Sequence, residues 1–146
     1  MFFKKIAFVF LAAAFFACGT NNEQQEAEKA QSRADVARQE VEQLHDSIMV
    51  RMGEIHRLHK QLLYSRDSLG VDSSRVAVYA RSLDEAEEAM MRWMREYRKP
   101  EGASEEELLR FFEQEKEKIK SVGLQMEEAI EQSKAFLDSL KQTKPE

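Results

Sequence analysis

The chain has 146 residues, a formal net charge of -5, 34% charged residues, five glycines, two prolines and one cysteine. That length suits one domain, and so few glycines and prolines exclude a turn-rich β-sandwich or barrel. A single cysteine excludes an internal disulfide framework and any multi-cysteine zinc or iron–sulfur site. The acidic balance excludes a nucleic-acid partner, which would need a basic face for phosphates.

Residues 1–17 read as a signal peptide. Lys4 and Lys5 form a short basic region, and Ile6–Phe16 is apolar throughout. That run is too short for a ~30 Å hydrocarbon core but suits the apolar part of a secretory signal. It ends in Phe15-Phe16-Ala17-Cys18-Gly19. A small residue before a lone cysteine resembles the bacterial lipobox, in which the cysteine is acylated and becomes the first residue of the mature chain. Phe15 and Phe16 stand where that box usually carries Leu and Ser or Ala. The expectation is lipidation at Cys18, a short tether over 18–22, and attachment to the membrane through acyl chains. Several chains anchor stably where one alone binds only marginally. The expected place is the bacterial cell envelope, at the outer membrane facing the periplasm. The plainer alternative is a general secretory signal with an incidental cysteine.

From Glu23 the pattern is helical. Ala27, Ala30, Ala34, Ala37, Val41, Leu44, Ile48, Ile55, Leu58 and Leu62 recur by threes and fours, the spacing of a coiled-coil seam. Arg51 interrupts that seam, with Met52 beside it. Up to Ala37 the seam is nearly all alanine and buries little area, so this part reads as a polar stalk and the part after Val41 as the packed half. Ser65–Asp72 breaks the pattern; Gly70 suits a left-handed turn, and Asp72 or Ser73 a cap. A second helix carries Val76, Tyr79, Leu83, Ala86, Met90, Trp93 and Tyr97, and ends before Pro100. Arg92, Arg95, Arg98 and Lys99 suit its C-terminal end, with Glu105–Glu107 as expected partners. Ser104 and Glu107 have the spacing of a capping box, and a third helix follows to about Gln142.

Short loops make sequential helices antiparallel neighbours. The predicted fold is therefore all-α. It is an up-down-up three-helix antiparallel bundle over residues 23–142, with long coiled-coil-like helices at about 23–65, 73–98 and 104–142, after the lipoprotein signal peptide. Gly53 and Gly123 fall inside helices, where glycine costs roughly 0.5–1 kcal/mol against alanine; a kink or a close helix contact would explain either. Glu115 sits at a seam position, which puts it at the bundle edge or, failing that, buried with an arginine.

The most informative feature is a second stripe on the first helix. His45, Met49, Met52, His56 and His59 are spaced four, three, four and three, and the second helix carries Met90, Met91, Trp93 and Met94. With the turn at Gly70 as level zero, His45 stands at ~30 Å, Met49 at ~24 Å, Met90–Met94 at ~25–32 Å, and Phe111 and Phe112 at ~25–27 Å. His45, Met49, the Met90–Met94 cluster and the two phenylalanines are thus expected in one layer, with His56 and His59 lower. The bland explanation is packing: methionine fills irregular gaps and favours aromatic edges. The sharper one is a soft-metal site. Thioethers and imidazole select Cu(I), and His45, Met49, Met52, Met90, Met91 and Met94 are the candidate ligands. Trp93, Phe111 and Phe112 would shield them. A haem held by His and Met is a related option, non-covalent because no CxxCH occurs.

Glu42 and His45 have the Glu-x-x-His spacing of a di-iron bundle, which needs two such pairs; only one is present. His56 and His59 lie one turn apart without an HExxH motif. No Ser/His/Asp set and no glycine-rich phosphate loop stands out, so an enzyme is not expected.

The stretch His45-Asp46-Ser47-Ile48-Met49-Val50-Arg51-Met52-Gly53-Glu54-Ile55, with Met90-Met91-Arg92-Trp93-Met94 downstream, resembles a family of small bacterial lipoproteins. Their shared patterns are HDxxMxxMGEI and MMxWM, and they carry the label "viral A-type inclusion protein"-like, a name owed to coiled-coil similarity. The resemblance covers most of the chain after Cys18. It implies a kind of protein and no particular activity. The leading expectation is a membrane-anchored envelope lipoprotein with a structural or protein-interaction role, acting on an envelope protein or as a homo-oligomer. The alternative is a copper- or haem-binding lipoprotein using the His/Met layer.

Overall fold

Helix starts and stops follow from local chemistry. In a computed structural model, which describes residues 32–142, the chain is all-helical: α1 Arg33–Met49, α2 Met52–Leu69, α3 Ser73–Glu96 and α4 Glu105–Gln142. Ser32 caps α1, its Oγ accepting from the Asp35 N–H at 3.1 Å, and Asp72 caps α3 by accepting from the Ser74 N–H at 2.8 Å. At α4 the capping box forms: Glu107 Oε2 accepts from the Ser104 N–H at 2.8 Å, and Ser104 Oγ accepts from the Glu107 N–H at 3.4 Å. Each bond satisfies a first-turn donor that the helix itself leaves without a partner. Gly70 ends α2 at φ 67°, and the Val71 N–H reaches back to the Ser65 carbonyl at 3.2 Å, a closure that requires the left-handed conformation glycine adopts without strain.

The first long helix of the sequence reading is two helices joined by one tight turn. The Arg51 N–H donates to the Ile48 carbonyl at 2.9 Å, a three-residue step in place of four. The turn falls where Arg51 interrupts the apolar seam. Its guanidinium lies 3.5 Å from Glu54, and Ile55 resumes the buried face. Helix α3, expected to reach about residue 98, stops at Glu96, and residues 23–31 lie outside the described part.

Helix α4 packs against each of the other three, and α2 also packs against α3. The backbones of α1 and α3 barely approach one another. Val41, Ile55, Leu58, Leu62, Val76, Leu83, Met90, Ile119, Met126 and Ile130 fill the interior, each apolar side chain worth about 1.5–3 kcal/mol on burial. Three contacts tie α1 and α2 to α4 in increasing order: the Arg33 N–H donates to Glu105 at 3.1 Å, Lys116 pairs with Glu40, and Lys134 Nζ lies 2.8 Å from Glu54. Helix α3 meets its neighbours in decreasing order. Tyr79 stacks on Phe136 at 4.3 Å and Tyr97 on Phe111 at 5.9 Å, while His56 and His59 of α2 face Glu87 and Asp84.

Several expectations are corrected here. In its described part the alanine seam is not a bare stalk: Ala34 and Ala37 are buried, because their small side chains let α4 come close, while Ala27 and Ala30 lie outside the described residues. Glu115 is buried rather than at the edge, and its partner is Lys118 at 2.7 Å, not an arginine. The basic run at the end of α3 does not pair with Glu105–Glu107 as a block. Arg95 pairs with Glu88 at 2.6 Å, while Glu105 accepts from α1 and Glu107 caps its own helix. The two mid-helix glycines also separate. At Gly123 an added Cβ would lie 2.8 Å from Ile48 Cδ1, so its bareness seats α1 on α4; at Gly53 nothing lies within 4 Å.

These differences set an ordered stability series. Gly53→Ala raises stability by roughly 0.5–1 kcal/mol through helix propensity alone. Gly123→Ala gains less than that, because Ile48 must shift. Gly70→Ala is destabilising by about 1 kcal/mol, since alanine is strained at positive φ. Urea unfolding of the three variants reads the order directly.

Candidate functional site

Helix α1 presents His45 and Met49 four residues apart, and the tight turn at Val50–Arg51 carries the chain on to Met52. Helix α3 presents Met90, Trp93 and Met94 toward the interior. Met90 is fully buried and Trp93 nearly so, while Met49, Met52 and Met94 are partly buried against the core. Met91 points elsewhere and is 38% exposed.

The His45 ring stacks on Trp93, with centroids 5.5 Å apart and planes 27° apart. Trp93 stacks in turn on Tyr97 at 4.8 Å, Tyr97 on Phe111 at 5.9 Å, and Phe111 meets Phe112 edge-on at 5.2 Å. The rings of the expected layer are therefore brought together: a ladder of them crosses from α1 through α3 to α4. It bridges the gap that the backbones of α1 and α3 leave between them. Phe112 is buried and Phe111 half-buried. His56 and His59 stand apart, each 3.2–3.3 Å from a carboxylate of α3.

The polar atoms of this layer are unevenly served. His45 Nδ1–H donates to Asp46 Oδ1 at 3.1 Å, since a carboxylate can only accept. His45 Nε2 and Trp93 Nε1 are buried with no hydrogen-bond partner in the protein. An unpartnered buried polar atom costs its full desolvation, about 1–3 kcal/mol. Beside the ladder, burial holds the Tyr97 phenol above its ordinary pKa, and Glu42 adds to that shift. No cluster of three or more His, Cys, Asp or Glu side chains suited to a metal ion occurs among the described residues, so any ion here would have to use sulfur.

Two participants escaped the sequence reading. Asp46 is the immediate neighbour of His45 in the HD pair, and its adjacency was the available signal. Tyr97 lies four residues beyond Trp93, on the same helix face. Cys18, the expected lipidation site, lies outside the described residues. No protein-family model, curated protein or solved structure matches the chain.

Glu54, which follows Met52 in the same motif, secures the turn beneath the layer. Lys134 of α4 beside it holds its carboxyl below the usual glutamate range, and Arg51 and Arg57 add to that. A lowered folded-state pKa contributes stability above the unfolded value and loses it as pH falls through the folded one. Glu54→Gln is expected to cost under ~1 kcal/mol near neutral pH, the pair being partly exposed. Its deficit against the parent closes as pH drops below the ordinary glutamate range, as thermal melts across an acid series would record.

Proposed function

We propose that this chain is a lipid-anchored helical rod of the bacterial cell envelope, with a structural or protein-interaction role and no catalytic one. In this reading the helices form an up-down-up antiparallel bundle. The increasing order of contacts from α1 and α2 to α4, and the decreasing order from α3, support it. The observation that carries the structural role is α4. At 38 residues it extends for about 57 Å at 1.5 Å per residue, and every other described helix lies along it. Such a shape suits a spacer that sets a fixed distance from an anchor point.

The anchor is read from Lys4, Lys5, the apolar run and Ala17-Cys18. Among the described residues no helix is long and apolar enough to cross a membrane. The likeness to the small lipoproteins with HDxxMxxMGEI and MMxWM motifs points the same way. Ala34 and Ala37 are buried within the chain, so an envelope protein is the favoured partner, with a second copy of the chain as the alternative.

The anchor is tested by growing cells that express the full chain with a clickable fatty acid. The expected result is a labelled protein in the outer-membrane fraction, with label and membrane retention both lost in Cys18→Ser. An unlabelled parent chain, or label that persists in the variant, overturns the lipoprotein reading.

A further inference from the structure

We propose that His45, Met49, Met52, Met90 and Met94 form a Cu(I) site where the junction of α1 and α2 meets α3, with the Trp93 ring against the ion. The His45 Nδ1–H is committed to Asp46, so in the neutral ring the lone pair lies on Nε2. That atom is buried and no protein group hydrogen-bonds to it. A histidine held by a carboxylate through one nitrogen, with the other bare, is the arrangement that metal-ligating imidazoles adopt. His56 and His59 show the contrast, since their Nε2 atoms each meet a carboxylate of α3.

The sulfur atoms follow from register. His45 meets Trp93, and His56 meets Glu87. Between those two contacts lie Met49 and Met52 on one side and Met90 on the other. Met49 is one turn beyond His45 on the same face, and Met90 and Met94 are one turn apart on theirs. All four thioethers are buried or partly buried on the core side, whereas Met91 is exposed and stands outside the set. Met49 lies on α1 and Met90 and Met94 on α3, whose backbones stay apart, while Met52 opens α2 just past the turn; all four are long, flexible side chains that can close on an ion without moving a helix. Packing alone would be met equally well by leucine, and it leaves Nε2 desolvated without return. Imidazole with thioethers, and no carboxylate or thiolate among them, is a donor set that selects Cu(I) over Zn²⁺ and other harder divalent ions. The indole face adds attraction for a cation. None of this depends on the lipid anchor.

The test uses the full-length chain purified from membranes in detergent, beside its Cys18→Ser version, which leaves no thiol to compete for the ion. Cu(I) is titrated anaerobically against an aromatic Cu(I) chelator while the fluorescence of Trp93, the one tryptophan, is followed. Both proteins are expected to withdraw one equivalent and to lose tryptophan emission over the same equivalent. Met49→Leu with Met90→Leu keeps the melting temperature and loses binding. Met126→Leu, a core change elsewhere, leaves binding intact, and Asp46→Ala weakens it by about tenfold, as loss of an outer partner does. If the double variant melts early, the half-buried His45→Gln carries the comparison in its place. Equal binding by parent and Leu variant, uptake only when Cys18 is present, no uptake against the chelator, or a Soret band with added haem in place of Cu(I) uptake each overturns the proposal. Loss of lipid label without loss of Cu(I) uptake in Cys18→Ser separates the two readings.

Discussion

Everything in this molecule is organised by the apolar face of α4. Phe112, Ile119, Met126, Ile130 and Phe136 are buried along one helix, and α1, α2 and α3 each lie against it. A helix that serves three neighbours cannot bring all of them equally close to one another. Gly123 lets α1 settle directly on α4 through Ile48, and α2 closes on α3, but α1 and α3 remain separated. The gap has to be bridged by side chains long enough to cross it. His45 and Trp93 do so by stacking, and Tyr97 carries the contact on to Phe111 of α4.

The tight turn at Val50–Arg51 belongs to the same constraint. The shortened step sets Arg51 beside Glu54, its half-buried guanidinium 3.5 Å from the carboxylate, and lets Ile55, Leu58 and Leu62 take up the buried face again. Met49 and Met52 flank that step. Glu54 in turn ties it to Lys134 of α4, so the geometry of the His45 layer is fixed from below by an ion pair as well as from the side by the ring ladder.

Much of this was legible in the sequence, and for identifiable reasons. The three-four spacing of Val76 through Trp93, the Ser104/Glu107 box and Gly70 each act locally, so helices, caps and the first turn could be read from neighbouring residues. Rise per residue placed His45, Met90–Met94 and Phe111–Phe112 at one level, which the His45–Trp93 and Tyr97–Phe111 contacts match. What could not be read depends on partners distant in sequence. Alanines at 34 and 37 look exposed until α4 covers them. Glu115 looks like an edge residue until the packed helices close over it. The orphaned Nε2 of His45 is invisible without coordinates.

The central claim is that His45 is held with one nitrogen occupied and the other bare, facing a sulfur-rich seam. The most direct measurement is the nitrogen chemical shifts of the His45 imidazole in the ¹⁵N-labelled, metal-free protein at neutral pH. The account predicts the Nδ1–H tautomer, with Nε2 at the shift of an unprotonated nitrogen. An Nε2–H tautomer, or the averaged shifts of a freely exchanging ring, would contradict it.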